Sequence, residues 1–265
     1  MTENTPAALF RAGNLTEAVA AAQAAVRKAP TDLDARVLLA ELLIFAGNPE
    51  RADVLLDAAS TIDPSTGIVV AEFRQLIRAD MARRQLFRDG RVPELLSDPT
   101  EVQRLQLQAL VALRENNMEE AAKCAAAAEE ARPRAAGFHN DTAIDDFRDA
   151  DDLMAGTIEV LTTTGKYFWI PTERVISAEF HPPKRPRDLI WRRVTMSVSE
   201  GPDGEVYVPA IYAGSEPTTD LLRLGRETDW TDPDAGPVRG IGQRVFLAGE
   251  EDIAIMEIGT LRFGA

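Results

Sequence analysis

The sequence predicts an α+β fold, in which all-α helical repeats over residues 1–134 precede a mainly antiparallel β domain over residues 135–265. A motif that recurs at an offset of 34 residues predicts the helical half, and three pairs of strand-like segments predict the β half. The composition changes at the same point, because all three tryptophans and all three tyrosines lie after residue 134. We therefore expect two domains with a boundary near residue 134.

The first half contains a repeated motif. AGNLTEA at 12–18 and AGNPERA at 46–52 lie 34 residues apart, and Pro30 and Pro64 have the same offset. ENNMEEA at 115–121 is a third copy, close to two further periods. This period, with helix–turn–helix content, is the length of a tetratricopeptide repeat. Stacked helix pairs of this kind form a curved surface suited to holding a peptide.

Asparagines stand where two of these helices are predicted to begin. Asn is a favoured N-cap residue, and Pro49 after Asn48 suits the first helical position. Asn14 and Glu17 have the spacing of a capping box. We expect both asparagine side chains to cap their helices.

Three pairs of segments in the second half predict antiparallel hairpins. The pairs are 157–163 with 166–171, 193–199 with 205–212, and 243–249 with 252–258. Gly165 and the GPDG sequence at 201–204 supply turn residues to the first two. A short helical turn is predicted at 220–224. Consecutive hairpins imply a curved antiparallel sheet or a partly open barrel.

Charge and composition disfavour several classes of function. The chain has 43 acidic and 29 basic residues, a net charge of −14, which disfavours binding to nucleic acid. One cysteine, Cys124, excludes an intramolecular disulfide framework. No secretory signal and no apolar run near the roughly 20 residues that span a bilayer are evident. We expect a cytoplasmic protein that binds neither nucleic acid nor a membrane.

An acidic run is the first candidate for metal chemistry. The aspartates are Asp145, Asp146, Asp149, Asp151 and Asp152, whose oxygens suit calcium or magnesium. In a helix, Asp145, Asp149 and Asp152 would share one face, with Arg148 beside them. A solvated face or an acidic helix cap is the favoured interpretation. Pairing of Arg148 with one of the aspartates, which would orient the linker, is an alternative to it. A metal-dependent hydrolase is the alternative function.

The motifs of hydrolases and nucleotide-binding proteins are absent. His139 and His181 are isolated, and there is no HExxH, GxSxG or Walker sequence. RGIGQR at 239–244 lacks the third glycine of the dinucleotide fingerprint. We expect Gly240 and Gly242 to permit a tight bend before the last hairpin.

Charged and aromatic side chains near this bend are the remaining candidates. Arg239 and Arg244 would flank the bend and pair with nearby carboxylates. Strand alternation places Tyr167 and Trp169 on one face and Phe168 on the other. Core packing accounts for most such aromatic residues, but tryptophan is also favoured at binding hot spots. We expect one or two of these aromatic residues to form an exposed partner anchor, the candidates being Tyr167, Phe168, Trp169, Trp191 and Trp230.

Three segments, 147–171, 187–193 and 225–263, resemble the ImpE family, also called TagJ or SciE, which are accessory proteins of bacterial type VI secretion. The resemblance implies a non-enzymatic adaptor with no cofactor. It also implies binding to the N-terminal region of the small contractile-sheath subunit, TssB or VipA. A ClpV-type ATPase is implied as an indirect partner, because it disassembles the sheath to which the adaptor binds. A generic peptide-binding repeat protein is a further alternative.

The family signature includes GRETDW, whose positions here are Arg226, Glu227, Asp229 and Trp230. At 211–216 the sequence IYAGSE departs from the family pattern Arg-Tyr-Pro-Gly-Ser-Glu. Together with the candidates above, the predicted partner-binding or signature residues are Arg226, Glu227, Asp229, Trp230, Arg239, Arg244, Trp169 and Trp191. Because the repeat half has only two lysines, Lys28 and Lys123, we expect no basic clamp for carboxylates there.

Overall fold

The computed structural model describes residues 4–264, without the side chains of residues 61 and 64. Seven α-helices form the described part of the first half. They are α1 (Pro6–Ala12), α2 (Leu15–Lys28), α3 (Leu33–Phe45), α4 (Pro49–Ile62), α5 (Gly67–Asp89), α6 (Glu101–Arg114) and α7 (Met118–Ala131). Helices α1 and α2, α3 and α4, and α6 and α7 pack as antiparallel neighbours joined by short turns. None of the described helices combines the length and the apolar content needed to cross a bilayer.

The repeated motif marks the turn within each helix pair. Gly13, Gly47 and Asn116 hold the same place in the three copies, with φ of 90°, 76° and 57°. A left-handed residue just after a helix satisfies its last carbonyl groups, and glycine or asparagine adopts that conformation at least cost. The recurrence in the sequence therefore records a backbone requirement of the turn.

The predicted asparagine caps are wrong at both positions. Asn14 and Asn48 stand at the N-caps of α2 and α4, but neither side chain makes a capping hydrogen bond. The Asn48 amide donates to the carbonyl of Ala46 instead, at 2.9 Å. Only Asn117 caps its helix, accepting from the backbone N–H of Glu120 at 3.2 Å.

Antiparallel strands form most of the second half. The strands are β1 (Gly137–His139), β2 (Thr142–Ile144), β3 (Phe147–Asp149), β4 (Thr157–Leu161), β5 (Tyr167–Pro171), β6 (Val175–Phe180), β7 (Trp191–Val198), β8 (Gly204–Pro209), β9 (Thr228–Trp230), β10 (Gly240–Gly242), β11 (Val245–Ala248), β12 (Glu251–Ala254) and β13 (Thr260–Phe263). Eight of them make one sheet in the order β2-β1-β13-β6-β7-β8-β4-β5. A second sheet has the order β12-β11-β3, and β9 pairs with β10.

All three predicted hairpins are confirmed as β4–β5, β7–β8 and β11–β12. The predicted helical turn is α8 (Asp220–Arg223). Helix gives way to strand between Ala131 and Gly137, where the composition changes.

The large sheet separates two apolar cores. On the face toward the helices, Trp169 and Trp191 pack in one cluster with Phe73 of α5. On the opposite face, Phe168 packs against a second cluster, in which Phe147 and Phe246 stack at 5.0 Å. The predicted alternation of the β5 aromatic residues is thus confirmed. Because the first core draws on both halves of the chain, helices and sheet are joined by buried apolar surface.

Candidate binding cleft

Four buried charged side chains connect α5 to the two sheets. Arg83 of α5 donates from Nε to Glu159 of β4 at 2.8 Å. Arg244, just before β11, pairs with the same Glu159 and with Asp149 of β3, the latter at 3.0 Å. All four residues are at most 5% exposed. We call Arg83, Glu159, Arg244 and Asp149 the buried ion cluster.

Glu159 is the central carboxylate of this cluster. Burial alone would raise its pKa, but the charges of Arg83 and Arg244 outweigh burial and lower the pKa to about 2. The Tyr167 hydroxyl also donates to Glu159, and the indole of Trp169 donates to that hydroxyl at 2.6 Å. Glu159 is therefore ionised at neutral pH and fully hydrogen-bonded, as a buried charge must be to persist.

Asp151 lies beside the cluster. Its carboxylate accepts from the backbone N–H of Leu153 at 2.8 Å and of Gly240 at 2.9 Å. Burial and the neighbouring charge of Asp149 raise the pKa of Asp151 to about 7. The hydroxyl of Tyr212 donates to Asp149 at 2.8 Å, which ties the 211–216 segment to the cluster.

A cleft of about 490 Å³ opens above the buried ion cluster. It lies between α5, α6, the first turn of α4 and the segment 212–216. Six arginines line it, namely Arg83, Arg84, Arg88, Arg114, Arg239 and Arg244. Three acidic residues, Glu50, Asp151 and Glu216, also line it, and an apolar wall includes Met81, Phe87, Leu110 and Leu113. We call this space the arginine cleft.

The arginines of the cleft differ in their partners. Arg84 pairs with Asp80 at 2.7 Å and also with Glu216, and Arg88 pairs with Asp89. Arg114 donates to the backbone carbonyl of Leu86 at 3.1 Å. Over residues 4–264, no carboxylate lies within ion-pairing distance of Arg114 or Arg239. These two side chains are the unneutralised cations of the cleft.

At the bend formed by residues 239–244, the glycines behave as expected, but only one of the two arginines pairs with acidic residues. Gly242 has a φ of 85°, and a Cβ there would lie 2.2 Å from the carbonyl oxygen of Glu227, so the expected tight bend is confirmed. Gly240 lies against the ring of Tyr212, and a Cβ there would lie 2.1 Å from a ring carbon. The expected pairing of Arg244 with acidic residues is confirmed, whereas the same expectation for Arg239 is wrong within the described residues.

Two predicted partner anchors are buried. Trp169 is 0% and Trp191 1% exposed, and both lie in the core shared by helices and sheet. Neither indole reaches solvent, so the expectation that either is an exposed anchor is wrong. Trp230 is 37% exposed and packs against the ring of Tyr212 at 5.9 Å. It is the one predicted tryptophan with a free surface.

The other signature residues lie in β9 or directly before it. Arg226 donates to the backbone carbonyls of Phe10 at 2.6 Å and Arg11 at 2.8 Å, so it fastens the second half to α1. The side chains of Glu227 and Asp229 are exposed. The Asp229 carboxylate accepts from the backbone N–H of Trp230 at 2.9 Å. Arg226 thus stabilises the contact between the two halves of the chain, whereas the side chains of Glu227 and Asp229 lie at the surface.

The acidic run is not a helix face. It forms β2, β3 and the turn after them, and Asp149 and Asp151 are buried, so a solvated face is the wrong interpretation for these two. Asp152 accepts from the backbone N–H of Val238 at 2.8 Å. Arg148 pairs with Glu129 at 3.3 Å, not with an aspartate as that alternative predicted.

The remaining aspartates of the run point elsewhere. Asp146 pairs with Arg132 at 2.6 Å, and the exposed Asp145 pairs with Arg134 at 3.6 Å. Among the described residues, no group of three or more His, Cys, Asp or Glu side chains is placed to hold a metal ion. The run therefore connects α7, β3 and the 238–240 segment through separate contacts.

Comparison with known proteins identifies the family. The family model for the ImpE protein matches residues 141–262, and a tetratricopeptide repeat model matches residues 9–77. The type VI secretion system accessory component TagJ of Pseudomonas aeruginosa is 30% identical over 256 residues, which cover 96% of this chain and 89% of TagJ. The chain belongs to the ImpE/TagJ family. The predicted resemblance and the predicted tetratricopeptide-like repeats are confirmed.

A crystal structure of a protein from Vibrio parahaemolyticus has the same fold as this ImpE/TagJ-family chain. The two superimpose with a TM-score of 0.93 at 27% sequence identity, over 98% of this chain and 97% of that one. The α+β fold predicted from the sequence is therefore confirmed.

The sequence analysis of this ImpE/TagJ-family protein missed most of the cleft. Arg83, Arg84 and Arg114 belong to helices of ordinary composition, and Glu159 reads as one residue of a strand. A charged residue inside the apolar strand TIEVL was the available signal, because β4 is buried along its whole length. The low lysine count gave no sign of the positively charged residues of the cleft, because the six that line it in the described structure are all arginines.

Proposed function

We propose that this protein is a non-enzymatic adaptor of type VI secretion that acts in the cytoplasm and binds the N-terminal helix region of the small contractile-sheath subunit, TssB or VipA. It contributes to sheath assembly or recycling and is linked to the ClpV-type ATPase through the sheath. The observation that carries the proposal is the match to a type VI secretion accessory component over 96% of the chain.

The architecture supports an adaptor role. Helix pairs such as α3–α4 stack side by side, as in repeat proteins that hold peptides. The arginine cleft lies where these helices meet the sheet and offers an apolar wall with cations around it. A partner helix presents apolar side chains three and four residues apart to such a groove.

The alternative of a metal-dependent hydrolase at residues 145–152 gains no support. Asp149 and Asp151 are engaged by Arg244 and by backbone N–H groups, and Asp146 by Arg132. The contacts of Asp149 with Arg244, of Asp151 with Gly240 and of Asp146 with Arg132 each join two segments of the fold. These structural contacts account for the three carboxylates without a catalytic role.

Fluorescence anisotropy with a labelled peptide tests the proposal. The peptide is the N-terminal region of the small sheath subunit from the same organism, and the control is a scrambled peptide of the same composition. We expect saturable binding of the first and none of the second by the full chain. Failure of both the peptide and the full-length sheath subunit to bind would contradict the proposal.

A further inference from the structure

We propose that the arginine cleft binds a carboxylate-bearing segment of a partner protein, with Arg114 and Arg239 as the contacts to its carboxylates. The inference rests on the proposed function in one respect, namely that the ligand of the cleft is a protein. It names the chemistry of the segment, which the family membership does not.

The distribution of charge is the first argument. The chain carries a net charge of −14, so an acidic segment is repelled by most of its surface. At the cleft, six arginines face three acidic residues. Carboxylates pair with four of these arginines, Arg83, Arg84, Arg88 and Arg244. Within the described part of the chain, Arg114 and Arg239 have no such pair. A carboxylate is therefore attracted to this cleft in particular.

One of the two free cations, Arg114, is positioned in advance. Arg114 donates from Nη1 to the carbonyl of Leu86 and lies against Gly90, where a Cβ would approach Nη2 to 3.0 Å. This contact fixes the guanidinium and leaves its other N–H groups for a ligand. A side chain held in its bound geometry loses little entropy on binding.

A buried N–H donor of Arg244, a residue that lines the cleft, also supports the binding of a carboxylate. Arg244 is 1% exposed and lines the cleft, and its Nε has no hydrogen-bond partner in residues 4–264. Buried N–H groups without a partner are rare and costly. Within the described part of the chain, Arg244 therefore brings an unpartnered N–H donor to the lining of the cleft.

The apolar wall favours a peptide over a free phosphate. Leu110 and Leu113 of α6 and Met81 and Phe87 of α5 face the space between the arginines. An aliphatic side chain next to an Asp or Glu would bury its carbon atoms there while its neighbour reaches a guanidinium, which pairs with carboxylate through two parallel N–H bonds. The volume of about 490 Å³ suits several side chains, within the range of about 300–1,000 Å³ for ligand sites. The chain has no phosphate-binding loop.

The test uses two fluorescein-labelled peptides of alternating residues, Leu-Glu and its neutral counterpart Leu-Gln, with the full chain. We expect the Leu-Glu peptide to bind at least about tenfold more tightly, which corresponds to about 1.4 kcal/mol. Arg114→Ala and Arg239→Ala each weaken that binding by about tenfold, and Arg239→Lys weakens it less. Arg104→Ala, at an exposed position of α6 outside the cleft, serves as the matched control and leaves the affinity unchanged.

Circular dichroism melting of each variant separates loss of binding from loss of folding. Equal affinity for the two peptides overturns the inference, as does unchanged binding by both arginine variants. Stronger binding of ATP or inorganic phosphate than of the Leu-Glu peptide, lost in Arg239→Ala, overturns it in favour of a phosphate site.

A parallel titration with the sheath-subunit segment distinguishes the two proposals. If that segment binds and the arginine variants do not affect it, the proposed function stands and the role of the cleft in it is refuted. If the Leu-Glu peptide binds at the cleft and the sheath segment does not bind the protein, the carboxylate site stands and the proposed sheath partner is refuted.

Discussion

The Nε of Arg83 donates to Oε1 of Glu159 at 2.8 Å, between α5 of the helical half and β4 of the sheet. The two residues are 76 positions apart, and neither is more than 5% exposed. Arg244 approaches the same carboxylate from the start of β11. One glutamate thus holds two guanidinium groups and thereby fixes the base of the arginine cleft.

Glu159→Gln will lower the free energy of unfolding by about 3–5 kcal/mol, because it removes the carboxylate that pairs with both buried guanidinium groups. Arg83 then has no ion pair in the described structure, and Arg244 keeps only Asp149. Urea unfolding followed by circular dichroism measures this loss. Glu179→Gln is the matched control, since Glu179 lies on β6 of the same sheet with a side chain 63% exposed. Similar midpoints for the two variants would show that the buried ion cluster contributes little to stability.

The stability of the protein will fall in acid through Glu159. Its pKa is about 2 in the folded protein against an ordinary value of 4.5. A carboxyl group whose pKa is lowered by folding stabilises the native state fully above the unfolded value, and that contribution is lost as the pH falls from 4.5 toward 2. The difference in unfolding free energy between the wild-type protein and Glu159→Gln should therefore shrink over this interval. A difference independent of pH would contradict the lowered pKa.

Asp220→Ala will destabilise α2, although the two lie far apart in the chain. The Asp220 carboxylate accepts from the backbone N–H of Thr16 at 2.9 Å and from its hydroxyl at 3.1 Å, which replaces the cap that Asn14 does not provide. Loss of a helix cap costs about 1 kcal/mol. Hydrogen exchange should accelerate in the first turn of α2. Asp203→Ala, in the exposed turn between β7 and β8, should leave that exchange unchanged.

Gly242→Ala will destabilise the protein strongly. The new Cβ would meet the carbonyl oxygen of Glu227 at 2.2 Å, and the φ of 85° itself costs an L-residue about 1–2 kcal/mol. Gly204→Ala is the control, because a Cβ there has no atom within 4 Å. Thermal unfolding compares the two, and an unchanged midpoint for Gly242→Ala would contradict the close approach of β10 to Glu227.

Trp191→Ala and Trp230→Ala will differ in their effects on stability. Trp191 is 1% exposed, packs on Phe73 at 6.2 Å and donates to Asp80 at 3.3 Å, so its removal should cost about 3–5 kcal/mol. Trp230 is 37% exposed and loses mainly its contact with Tyr212, for which we expect about 1 kcal/mol. Chemical unfolding of both variants measures the difference, and equal losses would contradict the burial assigned to Trp191.

Features that depend on neighbouring residues were predictable. The left-handed turn residues Gly13 and Gly47 recur at the repeat period, and the hairpins follow from alternation and turn chemistry. The alternation in β5 also placed Trp169 and Phe168 on opposite faces. Where prediction failed, as for the capping role of Asn14, a distant residue supplied the interaction instead.

The helix pairs, the hairpins and the family of this protein could be predicted from its residues alone, because turns, strand alternation and motifs are set by residues a few positions apart. Which charges are buried and which remain free depends on how the helices and the sheets pack together. Glu159 meets Arg83 and Arg244, and Arg114 and Arg239 line the same cleft, solely because helices and sheet share one core. The physical reason is that charges interact strongly only after folding removes the water between them, and that removal depends on contacts among residues far apart in the chain.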